Sequence, residues 1–131
     1  MNVKKLRVVI YARVATQDQC DDTALEAQSR HIREYAERRG MEVVGEVRVV
    51  EPGTTMARSG WHDALLLAAK EGADAVCAKD FSRVARGANT MDQAISDLDR
   101  YGLDLITCNP FDSEQHFSIL RQTLMSVGYK T

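Results

Sequence analysis

Residues 6–19 read LRVVIYARVATQDQ. The run 6–11 is almost continuously apolar, which suits a strand buried on both faces of a helix-covered parallel sheet. It hands the chain to Arg13 and then to a polar loop, the layout of a strand that delivers a side chain into a site. Position 15, where such a loop would seat a reactive residue, holds alanine.

Three more strand-like runs, 43–50, 73–78 and 103–108, alternate with four helical patterns. Thr23 with Glu26 makes a capping box, and Gly40 follows the last turn of that helix. Ser59 caps a second helix that continues through ALLLAAK to Gly72. Thr90 with Gln93 opens a third, ending at Gly102, and Asp112 with Gln115 opens a fourth, ending near Gly128. This strict alternation predicts an α/β fold: an open, mostly parallel sheet with right-handed crossovers, flanked by helices in flavodoxin-like layers. The 131 residues make one domain, 1–131, without repeats or an internal linker. The one long irregular segment, EPGTTMARS at 51–59, is expected to be a mobile loop beside a site.

Composition narrows the function. With 44% apolar and 27% charged residues the chain is a soluble globular protein, and no apolar run approaches membrane-spanning length. A net charge of -2 argues against gripping nucleic acid by bulk electrostatics alone, although a local cluster of arginines is compatible with it. Cys20, Cys77 and Cys108 are odd in number and lack metal-type spacing; Cys77 and Cys108 lie in apolar runs and read as buried thiols of a reducing compartment. No signal peptide is visible, so a cytoplasmic protein is expected. His31, His62 and His116 fall within helices, again without metal spacing, and are expected on solvated faces. Trp61 and Met56 are expected to pack the second helix.

In such a sheet, ligands bind outside the carboxyl ends of the strands. Arg13 follows the first strand, Arg58 precedes the second helix, and Lys79, Arg83 and Arg86 follow the third strand. Arg83 and Arg86 are three apart, the spacing of one face of a helical turn. Guanidinium groups match phosphate oxygens bidentately, so three connections converging on one edge read as a phosphate site. The competing reading is internal neutralisation by Glu51, Asp63 and Asp80.

YARVATQDQ resembles the Y-x-R-V-S-T-x-x-Q signature of the serine recombinases, the resolvase and invertase superfamily. TALEAQ with REYAERRGMEVV resembles that family's first helix and second strand. EPGTTMARSGW resembles its acidic-glycine loop, and KDFSRVAR its L-D-R-L-x-R segment. The segments fall in order over about residues 6–110.

The resemblance implies a catalytic-type domain in which a serine attacks a DNA phosphodiester and becomes joined to the DNA end, with no metal or nucleotide cofactor. Arginines stabilise the pentacoordinate phosphorus. Carried over, Arg13, Arg58, Arg83 and Arg86 stand at arginine positions, and Gln19 and Gln28 at glutamines that order the site. Ala15 stands at the nucleophile, which implies an inactive domain. Ser82 replaces the usual aspartate, Asp80 stands where many members carry lysine, and Thr55-Met56 replaces serine-glycine. These additional departures favour natural decay over a single engineered change. Thr16 and Ser82 are weak substitutes for the lost hydroxyl.

The apolar stripe Phe117, Leu120, Leu124 and Val127 marks 112–128 as the start of a dimerisation helix or as packing on the chain's own sheet. The implied partners are DNA, held weakly without a DNA-binding domain, and further copies in a homodimer or higher oligomer. A non-catalytic module that pairs with active recombinases is the alternative. A small-molecule phosphate binder is a third reading, without support from a glycine-rich loop.

Overall fold

The computed structural model describes residues 5–14, 22–51, 59–85 and 87–109. Their elements follow in the order β1 (Arg7–Val14), α1 (Asp22–Arg38), β2 (Glu42–Val50), α2 (Ser59–Glu71), β3 (Ala75–Ala78), α3 (Phe81–Val84), α4 (Ala88–Arg100) and β4 (Asp104–Thr107). The strands form one sheet in the order β2-β1-β3-β4, and every neighbouring pair is parallel. The expected α/β fold is the observed one.

β1 explains the sheet. Residues from Val8 to Val14 are all buried, and alternate side chains serve opposite faces. Val8, Ile10 and Ala12 pack with Ile32 and Ala36 of α1. Val9 and Tyr11 pack on the other face with Trp61 and Leu65 of α2 and Leu98 of α4. Burial on both faces accounts for the continuous apolar run in the sequence. Because β1 has β2 on one side and β3 on the other, the chain reverses its winding between β1 and β3. The carboxyl ends of these two strands flank the resulting crevice, the usual ligand position in an open α/β sheet.

The observed boundaries differ from the expected ones in four instructive places. β1 runs three residues beyond position 11, with Ala12, Arg13 and Val14 paired to Arg48, Val49 and Val50. Arg13 is therefore a strand residue, tolerated there because its guanidinium finds main-chain carbonyl partners. A short helix, α3, follows β3: the Asp80 carboxylate accepts the Arg83 backbone N–H at 3.2 Å and fixes its first turn. α3 stops at Val84 because Ala85 is extended, and Arg86, expected on one helical face with Arg83, lies outside the described residues. α4 begins at Ala88 with Gly87 at the N-cap, and the Thr90 hydroxyl donates back to the Gly87 carbonyl at 3.0 Å instead of forming a capping box. Ser59 is the first residue of α2, whose start is capped by Glu51, the residue just after β2. The helical pattern at 112–128 lies outside the described residues, as do the loop at 52–58 and Cys20.

Candidate active site

Of the sequence-derived site residues, Arg13, Gln28 and Arg83 are described, and the fold brings them together. Ala15, Gln19, Arg58 and Arg86 lie outside the described residues.

Arg13 is 2% exposed. Its Nε donates to the Arg83 carbonyl at 2.6 Å, one terminal nitrogen to the Ser82 carbonyl at 2.6 Å, and the other to the Glu51 carbonyl at 2.7 Å. One planar fork thus ties the end of β1 to the end of β2 and to α3. A buried cation is tolerable when its donors are satisfied in this way. The sequence placed Arg13 among the phosphate ligands; the geometry gives its guanidinium main-chain partners.

Gln28 completes the lock from the opposite face. Its amide accepts from the Arg13 backbone N–H at 3.0 Å and donates to the Arg13 carbonyl at 3.1 Å. α1 is thereby fixed to the edge of β1 one residue before Val14. The same Arg13 carbonyl accepts from a terminal nitrogen of Arg83 at 3.3 Å. Arg83 Nε is buried without a hydrogen-bond partner.

Glu51 and Tyr11 escaped the sequence analysis as positioning residues. The Glu51 carboxylate accepts the Tyr11 hydroxyl at 2.9 Å and the backbone N–H groups of Gly60 and Trp61 at 3.0 and 3.1 Å. It therefore caps the start of α2, with its negative charge at the positive end of the helix dipole. The signal in the sequence was a carboxylate at a strand end a few residues before a helix without an acidic first turn. Trp61 is buried as expected: its ring meets Tyr11 edge-on at 5.4 Å, and its indole N–H donates to Asp97 at 3.0 Å.

Between α1 and the β3–α3 connection lies a cleft of about 710 Å³, lined by Val14, Gln28, His31, Lys79, Ser82 and Arg83 together with two alanines of α1. It opens at the carboxyl ends of β1 and β3, and Val14 is the residue immediately before Ala15. None of the ion pairs among the described residues involves His31, Lys79 or Arg83. Asp63 and Glu51 do not line the cleft. Asp80, expected to compete with phosphate for the arginines, instead accepts the Ser82 hydroxyl at 2.5 Å and caps α3. His31, expected on a solvated face, is exposed and forms part of the cleft wall. Among the described residues the lining carries His31, Lys79 and Arg83 and no carboxylate, which suits it to holding an anionic oxygen.

Cys77 is buried, whereas Cys108 is only half-buried, a correction to the paired expectation. The neighbouring Cys108 thiol and burial push Cys77 up, whereas the neighbouring Cys77 thiol, with the charges of Arg38 and Lys79, holds Cys108 below the ordinary thiol value. Among the described residues no group of three or more His, Cys, Asp or Glu is placed to hold a metal ion, and no helix is long and apolar enough to cross a membrane.

Comparison with known proteins agrees with this fold. Three solved structures share the fold. The N-terminal catalytic domain of TP901-1 integrase matches with a TM-score of 0.72 at 20% identity, over 92% of this chain and 93% of that one. A resolvase family site-specific recombinase from Streptococcus pneumoniae matches with a TM-score of 0.67 at 24% identity, over 94% and 88%. The C-terminal catalytic domain of ISC1926 TnpA, an IS607-like serine recombinase, matches with a TM-score of 0.67 at 24% identity, over 93% and 80%. No curated protein matches the chain. Residues 8–128 match the family profile described as Resolvase, N terminal domain, nearly the whole length. With that match over a parallel sheet of this kind, the chain belongs to the resolvase family of serine recombinases.

Proposed function

We propose that this domain holds a DNA phosphodiester at the carboxyl edge of β1 and β3 and does not cleave it. The observation that carries the proposal is the basic cleft beginning at Val14, beside the alanine at the nucleophile position. Strand cleavage by a serine recombinase needs a hydroxyl oxygen to form the bond to phosphorus while the leaving oxygen departs. A methyl group at position 15 has no such atom. Arg83 would face the phosphate from the cleft wall, joined by Arg58 and Arg86 in the family pattern. Arg13 and Gln28 would hold the seat in place from behind. Self-association as a dimer or higher oligomer through the stripe on 112–128 belongs to the same proposal.

The test is a denaturing gel for protein covalently attached to DNA bearing the cognate site of a related active enzyme. The present chain is expected to give no adduct with or without added metal or nucleotide. Ala15→Ser supplies the oxygen, but a displacement of about 1 Å can cost roughly a hundredfold in rate. Little or no adduct is therefore expected from that change alone. An adduct from the present chain would overturn the inactive assignment and direct attention to Thr16 or Ser82.

A further inference from the structure

We infer that the cleft holds two consecutive backbone phosphates of duplex DNA, and that Lys79 and His31 contact the second while Arg83 contacts the first. This rests on the proposed phosphodiester site and assigns two residues that the recombinase signature leaves without a role. Three observations support it. First, the cleft is larger than one phosphate requires: about 710 Å³ lies in the range of roughly 300–1,000 Å³ that encloses a drug-sized ligand. Second, one face of α1 lines it. Ala24, Ala27, Gln28 and His31 follow the i, i+3, i+4, i+7 spacing of a single helical face, so His31 stands one turn beyond the amide that is locked to Arg13. The two alanines keep that face low and leave room for a sugar between the phosphates. Third, the cations lie on separate anchors. Arg83 is tied back to the Arg13 carbonyl at the β1 side, whereas Lys79 leaves the end of β3 before the helical turn begins. The carboxylate nearest to Lys79 in sequence, Asp80, is engaged by the Ser82 hydroxyl and the Arg83 N–H. Lysine acts on phosphate as a point charge, and a histidine ring N–H adds a directional donor.

The experiment measures the affinity of a short fluorescein-labelled duplex for the whole chain by anisotropy across a sodium chloride series. In parallel, it measures the rise in melting temperature caused by inorganic phosphate. Each phosphate contact contributes about 0.9 to the slope of log K against log salt. Lys79→Gln, which retains most of the stem, is expected to reduce that slope by about 0.9 and to weaken duplex binding regardless of sequence. His31→Ala is expected to weaken binding as well. Neither change is expected to alter the rise produced by inorganic phosphate, which occupies the Arg83 position alone. Arg83→Ala is expected to abolish that rise. Wild-type slope and affinity in both the Lys79 and His31 variants, with loss in Arg83→Ala, would overturn the second contact and leave the first. Loss of the inorganic phosphate response in Lys79→Gln would also overturn it, showing one shared phosphate. Unchanged behaviour in all three variants would overturn the phosphodiester site itself.

Discussion

The carboxyl edge of the sheet contains two regions built from the same kinds of side chain and used in opposite ways. Around Arg13 and Glu51, charge is turned inward: the guanidinium is spent on three carbonyls and the carboxylate on a tyrosine and a helix end. Around Arg83 and Lys79, charge is left facing a cleft. A residue's place in a family signature therefore does not settle whether it touches substrate. Arg13 and Arg83 are both signature arginines, yet one braces the backbone that the other projects from.

The sharpest way to break this contrast is to remove each arginine. Arg13→Ala leaves three part-buried carbonyls without donors, each costing up to about 1–3 kcal/mol when unsatisfied. Shared relaxation makes the sum less than additive, so roughly 4 kcal/mol of destabilisation is expected. Arg83→Ala loses one long bond at 3.3 Å and should cost about 0.5 kcal/mol or less. Urea denaturation of the two variants reads the difference directly. Equal costs would erase the division between brace and cleft.

Glu51 tests the inward-facing region from its other pole. Glu51→Ala strips the acceptor from the Tyr11 hydroxyl and from two N–H groups at the start of α2, and about 2–3 kcal/mol is expected to be lost. Gly60→Ala probes the same contact by crowding. A Cβ there would lie 2.4 Å from a Val49 methyl and 2.9 Å from a Glu51 oxygen. The close approach of α2 to the strand would have to open, at a cost of about 1–3 kcal/mol despite alanine's better helix propensity. A neutral or stabilising Gly60→Ala would show that α2 is not held by Glu51 as tightly as the geometry indicates.

What the sequence revealed follows from these contacts. The fold was legible because a parallel strand buried on both faces leaves an unbroken apolar run, and the glycines that end the helices are local signals. The clustering of Arg13 and Arg83 was legible because strand ends and β-to-α connections collect at one sheet edge, whereas Gln28, inside α1, was reached only through the family resemblance. The direction of the Arg13 side chain was not, since it depends on carbonyls of Glu51, Ser82 and Arg83 that lie 38 to 70 residues away. The cap of α2 was equally hidden, because the expected local residue, Ser59, is displaced by the carboxylate of Glu51 just past the end of β2. His31 carries no motif; only the packing of α1 against the sheet puts it in the cleft wall.

The smallest expected effect lies away from both regions, where charge is neither buried nor aimed at a ligand. Glu46 on β2 accepts from Arg33 of α1 at 2.6 Å and from Arg48, joining a helix to the sheet at the surface. Partial burial pushes its carboxyl up, but the nearby Ser29 hydroxyl, the hydrogen bonds from Arg33 and Arg48 and the charge of Arg48 outweigh it and hold the group below its ordinary value of 4.5. A carboxylate depressed in the folded state contributes stability that is present above its unfolded pKa and is lost as pH falls through the folded value. Glu46→Gln should therefore be less stable than the parent at pH 7, by about 0.5 kcal/mol given the exposure of the two arginines. The gap should close on acidification below about pH 4.5, the ordinary value. Salt should narrow it at neutral pH, because exposed pairs are screened within about 10 Å at 0.1 M. Denaturant melts of both proteins at neutral and acid pH, each at low and high salt, provide the check. A gap that persists in acid or ignores salt would mean that Glu46 acts through packing, like the residues around Arg13, and not as a solvent-screened charge.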